Sequence, residues 1–138
     1  MNMNCKIASS IEQSKRLAAC GVDSKTADML WPDDGDDRSR LAILTPIISD
    51  RYKIIEAWSL SALLEQMPKE IYDDHDGGFY FSLAKEYPLS NEYGAAYIPC
   101  WDNGDGLVRV RSESPIEACV KMFEWLYINN KIRKQTTK

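Results

Sequence analysis

A chain of 138 residues, 44% hydrophobic and 28% charged, has the make-up of a single ordinary folded domain, and this excludes a disordered or fibrous protein. A net charge of −4 argues against nucleic acid as the partner, since surfaces that bind it are basic. No run approaches the roughly 20 apolar residues that cross a bilayer, and the opening stretch lacks the apolar centre of a signal peptide, so no membrane association and a cytoplasmic setting are expected.

Ser9 with Glu12 three residues on makes a capping box for a first helix, with Ile11, Ser14, Leu17 and Ala18 along one face and Gly21 as its stop. Asp23 or Ser24 then caps a second short helix, "KTADMLW", whose Ala27, Leu30 and Trp31 fold back on the first. The expectation is a helical hairpin over about 9–31. "PDDGDDRSR", about 32–40, reads as a mobile acidic loop. In "LAILTPIISDRYKIIEAW" Pro46 argues for an edge strand or an extended crossing. Ser59 caps a short helix carrying Leu60, Leu63, Leu64 and Met67, ended by Pro68.

The rest predicts a sheet at about 79–111 and one long helix at about 114–129. "FYFSLA" alternates Phe79, Phe81 and Leu83 against Tyr80, Ser82 and Ala84, the period of a half-buried strand. "AAYIPCW" and "LVRVR" flank the glycine-bearing loop "DNGDG" as a hairpin, with Val108 and Val110 facing one way and Arg109 and Arg111 the other. Ser114, Pro115 and Glu117 are three concordant helix-start signals, and Ile116, Cys119, Val120, Phe123, Leu126 and Tyr127 form the core stripe. Residues 133–138 read as a frayed tail. The predicted class is α+β in one domain, 1–138: an N-terminal helical hairpin, a small antiparallel three-stranded meander and a long C-terminal helix. Trp125, close in angle to Ala118 and Met122, gives that helix a second apolar face, which is either buried on both sides or the seam of a homodimer.

Chemistry is sparse. The only histidine, His75, sits in "YDDHDGGFYF", where no register supplies the oxygen ligands of a calcium loop and no further zinc ligand lies near. The cysteines at 5, 20, 100 and 119 are at least fifteen residues apart, which fits buried thiols. The acidic stretches at 33–37 and 73–76 therefore read as solvated turns, with a positively charged partner surface the alternative for the first and a weak divalent-ion site for the second, and no cofactor or metal is expected. No nucleophile elbow or phosphate-binding glycine loop marks an enzyme. A small hydrolase using carboxylates, with or without a divalent metal, stays open because Asp and Glu are plentiful. The aromatic and arginine residues carry the sharper expectation. Trp31, Trp58 and Trp101 stand at element ends, where an indole can stack a flat ligand, and Arg109 and Arg111 can hold a phosphate.

Three blocks, "IEQSKRLAACGVDSKTADMLW", "AWSLSALLEQMPKEIY" and "SPIEACVKMFEWL", resemble a recurring group of short uncharacterised proteins from prophage-like and mobile regions of gut bacterial genomes. The meander followed by a capped helix also resembles the small sheet-and-helix domain of HicB-type antitoxins, which implies an antitoxin-like interaction module as an alternative. Neither resemblance carries catalytic residues. The first implies a non-catalytic binding protein of a phage or mobile element. Such a protein would sequester a host defence signalling nucleotide or block a host protein, so its expected partners are a small anionic ligand or a host protein.

Overall fold

The computed structural model describes residues 7–32, 42–43, 54–72, 78–86, 91–99 and 107–130. The acidic stretches at 33–37 and 73–76, His75, Trp101 and the 133–138 tail lie outside the described residues. The chain divides into two compact units, Met1–Gln66 and Met67–Lys138.

In the first unit, helix α1 (Ile11–Ala19) starts one residue later than expected: Ser10 is the cap, and its hydroxyl and the Gln13 side chain close the reciprocal box. Two overlapping S-x-x-E/Q patterns compete here, and Ser9 loses because its hydroxyl is needed in the core. Gly21, at φ +84°, ends the helix as anticipated. The Val22 and Gly21 amides reach back to the Leu17 and Ala18 carbonyls, the paired bonds of a Schellman end.

The hairpin expectation is corrected at the next element. Ser24–Thr26 is a single 3-10 turn capped by Asp23, after which the chain runs into strand β1 (Met29–Pro32). Trp31 precedes a proline, which disfavours helical backbone at that position, and a seven-residue helix has little stability of its own. β1 is the centre of a three-stranded antiparallel sheet between β2 (Ala42–Ile43) and β3 (Ile54–Ala57). Helix α2 (Leu60–Gln66) follows, with the Ser59 hydroxyl accepting the Ala62 amide as its cap. Leu17, Leu30, Ala57, Trp58 and Leu63 are buried in this unit.

The second unit holds β4 (Glu70–Tyr72), β5 (Gly78–Lys85), β6 (Tyr93–Pro99), β7 (Val108–Ser112) and helix α3 (Pro115–Ile128). Its sheet is a meander of order β4-β5-β6-β7, four strands and not the expected three. The missed strand is three residues long, too short for periodicity to register, yet its Ile71 is buried between exposed Glu70 and Tyr72. The expected "LVRVR" alternation is present, with valines half-buried and arginines exposed.

Helix α3 starts where three signals placed it, with Ser114 accepting the Glu117 amide. It packs on β6 and β7; across the β5–β6 pair, Phe81 and Tyr97 set their rings 5.5 Å apart. The Tyr97 hydroxyl donates to the Pro68 carbonyl at 2.7 Å. Ala118 and Met122 are fully buried within the single chain, and Trp125, on the same second apolar face, is half-buried. Tyr127, expected in the core stripe, is exposed. Among the described residues no helix is long and apolar enough to cross a membrane.

Candidate functional site

The expected ligand-binding residues separate. Trp31 and Trp58 belong to the first unit, and Arg109 and Arg111 to the second. Trp58 is 1% exposed, and its indole N–H donates to the Thr26 hydroxyl at 2.9 Å. An indole so enclosed has no face for a ligand. Trp31 is half-buried, its N–H donating to the Ser9 carbonyl at 2.9 Å. Both belong to a polar knot at the N-terminal end of α1. There the buried Ser9 hydroxyl accepts the Trp58 amide at 3.0 Å and shares a hydrogen bond of 2.8 Å with Ser14. Asp28 adds a last strand to the knot by accepting the Ser59 amide at 2.8 Å and the Ser59 hydroxyl. These groups hold the unit together.

The arginines stand differently. Successive β-strand residues point to opposite faces, and pairing carries one face across the sheet. Arg109 lies opposite Ala96, which lies opposite Ser82; Arg111 lies opposite Gly94, which lies opposite Ala84. Tyr80 and Ile98 extend the same face, turned away from the one that holds Phe81 and Tyr97. The centre of the face therefore carries only small side chains, and longer ones rim it. Tyr80 is 46% exposed at one side. The arginine side chains, at 45% and 56%, are exposed on the other.

One carboxylate meets both guanidiniums. Glu86 follows β5, its amide donating to the Glu92 carbonyl at 2.9 Å. Its Oε1 accepts Arg109 Nη1 at 3.2 Å, and its two oxygens accept Arg111 Nε at 3.1 and 2.9 Å. Arg111, ahead of Arg109, holds the Glu86 carboxyl below its ordinary range, against a smaller opposing effect of burial. The carboxylate lies on the backbone of Gly94, where an added Cβ would come within 2.1 Å of Oε1. Sequence reasoning found the two arginines by alternation but missed Glu86 and Gly94, whose roles come from cross-strand pairing. Tyr80 was legible as the polar side of a strand.

Among the described residues no three His, Cys, Asp or Glu side chains cluster so as to hold a metal ion. Burial pushes the Cys119 thiol up to about 12, and the Tyr97 hydroxyl is raised too, first by burial and then by Cys119. Both are inert at neutral pH. No family model, no curated protein and no solved structure matches this chain.

Proposed function

We propose that this is a non-catalytic binding protein that holds a small anionic ligand with a flat ring, such as a signalling nucleotide, on the outer face of the β4–β7 sheet. The observation that supports it most is the pair of exposed guanidiniums, Arg109 and Arg111, sharing a single carboxylate. Two arginines against one glutamate leave a local positive charge on a chain whose net charge is −4. Planar guanidinium forks suit phosphate oxygens.

Tyr80 supplies the aromatic partner that the enclosed Trp58 cannot. It lies two strands and one side-chain repeat from Arg109, about 12 Å at ordinary strand spacings. A ring stacked on Tyr80 would extend over Ser82 and Ala96 and bring its phosphate to the arginines.

Titration with a panel of mono-, di- and cyclic nucleotides by isothermal calorimetry tests the reading, alongside native mass spectrometry of the protein. Binding by one of them, lost in both Arg109→Ala and Tyr80→Ala, is the expected result. No binding across the panel, or binding indifferent to both substitutions, would sink the assignment.

A further inference from the structure

The seat under Glu86 has a construction of its own. Gly94 and Ala96 remove side chains from the middle strand, so residues on β7 can reach across β6 to a group arriving from β5. Ala96 is buried, and Gly94 gives the carboxylate oxygen room where any Cβ would collide with it. The Glu86 carboxylate thus rests directly on the backbone of β6. Yet Glu86 uses the walls sparingly. Each guanidinium carries five N–H donors in a fork, but Glu86 is met by Nη1 alone of Arg109 and by Nε alone of Arg111. The forked contact that makes arginine–oxyanion pairs strong is not made.

We propose, resting on the reading above, that Glu86 is a resident stand-in for the ligand's anion. It occupies the Arg109–Arg111 seat in the free protein and is displaced by a phosphate able to engage both forks. The side-chain carboxylate is held by exposed ion pairs that contribute little, whereas a phosphate brings more charge and more oxygens to the same donors. Displacement needs only rotation of the Glu86 side chain, since its backbone stays tied to Glu92. The device excludes monoanions that match glutamate in strength and admits ligands that exceed it. Self-occupancy therefore sets the site's threshold.

The probe is inorganic pyrophosphate, titrated into the intact protein while the Arg111 Nε–H resonance is followed by NMR. That resonance is expected to shift on addition. Glu86→Gln, which removes the competing charge, tightens binding by about five- to tenfold, the worth of two exposed ion pairs. Gly94→Ala evicts the carboxylate while keeping both arginines and is expected to change affinity in the same direction, so the result does not hang on one variant. Equal or weaker binding in both variants overturns the proposal, as does failure of Glu86→Gln to bind at all. If nucleotides fail but Glu86→Gln takes pyrophosphate tightly, the stand-in role holds and the nucleotide reading falls. If nucleotides bind and neither variant improves affinity, the reverse is true.

Discussion

Replacing Ser9 with alanine removes one oxygen atom from a buried polar knot, and the structure sets the size of the effect. The hydroxyl accepts the Trp58 amide at 3.0 Å and pairs with Ser14 at 2.8 Å, and both Ser9 and Ser14 are buried. Ser9→Ala leaves the Trp58 amide and the Ser14 hydroxyl without that partner, and water cannot replace it. A buried polar group left unpaired costs about 1–3 kcal/mol. Taking the middle of that range for the amide and the low end for the rotatable hydroxyl gives about 3 kcal/mol. In a chain of this size that lowers Tm by roughly 10 °C. Ser14→Ala alone leaves the amide satisfied and costs about 1 kcal/mol. The double variant has neither hydroxyl left to orphan and costs only the unpaired amide, about 2 kcal/mol, so its loss falls short of the sum of the singles by about 2 kcal/mol. Urea denaturation followed by tryptophan fluorescence reads all three variants, with Trp31 and Trp58 beside the change. Strict additivity, or a Ser9→Ala loss below about 0.5 kcal/mol, would refute the reasoning, because either means the hydroxyl is not the shared acceptor.

Other consequences can be checked as directly. Glu86 is held below its ordinary value of 4.5 by Arg111 and Arg109, so its stabilising effect is complete above that value and is lost as pH falls through the lowered one. Thermal melts from pH 7 to pH 3 should show an acid loss in the natural protein that is smaller in Glu86→Gln, and identical pH profiles would count against the pairing. Gly21→Ala meets no atom within 4 Å, so its cost is backbone strain alone at φ +84°, about 1 kcal/mol, with Gly21→Asn milder. Cys119, with its thiol pushed up to about 12 and fully buried, should resist iodoacetamide at pH 8 until urea unfolds the chain, as peptide mapping would report.

What could be read from the sequence was what local chemistry decides. Ser114, Pro115 and Glu117 agree with one another, and α3 begins where they place it. The alternation around Arg109 and Arg111 needed only the two-residue period of a strand, and Gly21 needed only its own backbone freedom. Signals that compete locally were settled by tertiary demand. Ser9 and Ser10 both fit a capping box, and burial against Trp58 assigned the role to Ser10. Ala27, Leu30 and Trp31 fit a helical face as well as a strand entry, and four pairings with β3 decided for the strand. The site was the least legible part. Trp58 looked available because it borders a cap, but it is enclosed by residues far away in sequence, while Glu86 reaches Arg109 and Arg111 across 23 and 25 positions.

The tie between Ser9 and Trp58 also bears on how the chain acquires its structure during synthesis. Its two bonded residues are 49 positions apart, and β1 finds its longer partner in Ile54–Ala57. The segment that carries Ser9 therefore cannot close its own interior until residue 58 has followed it out. In the second unit every strand pairs with its neighbour in sequence, so rungs can form one hairpin at a time as the chain emerges. The N-terminal unit waits for a distant contact, and the unit that follows it assembles from near ones. The interval during which Leu17, Leu30 and Trp31 stand unprotected is set by translation speed, and slowing elongation before codon 58 should lengthen that exposure.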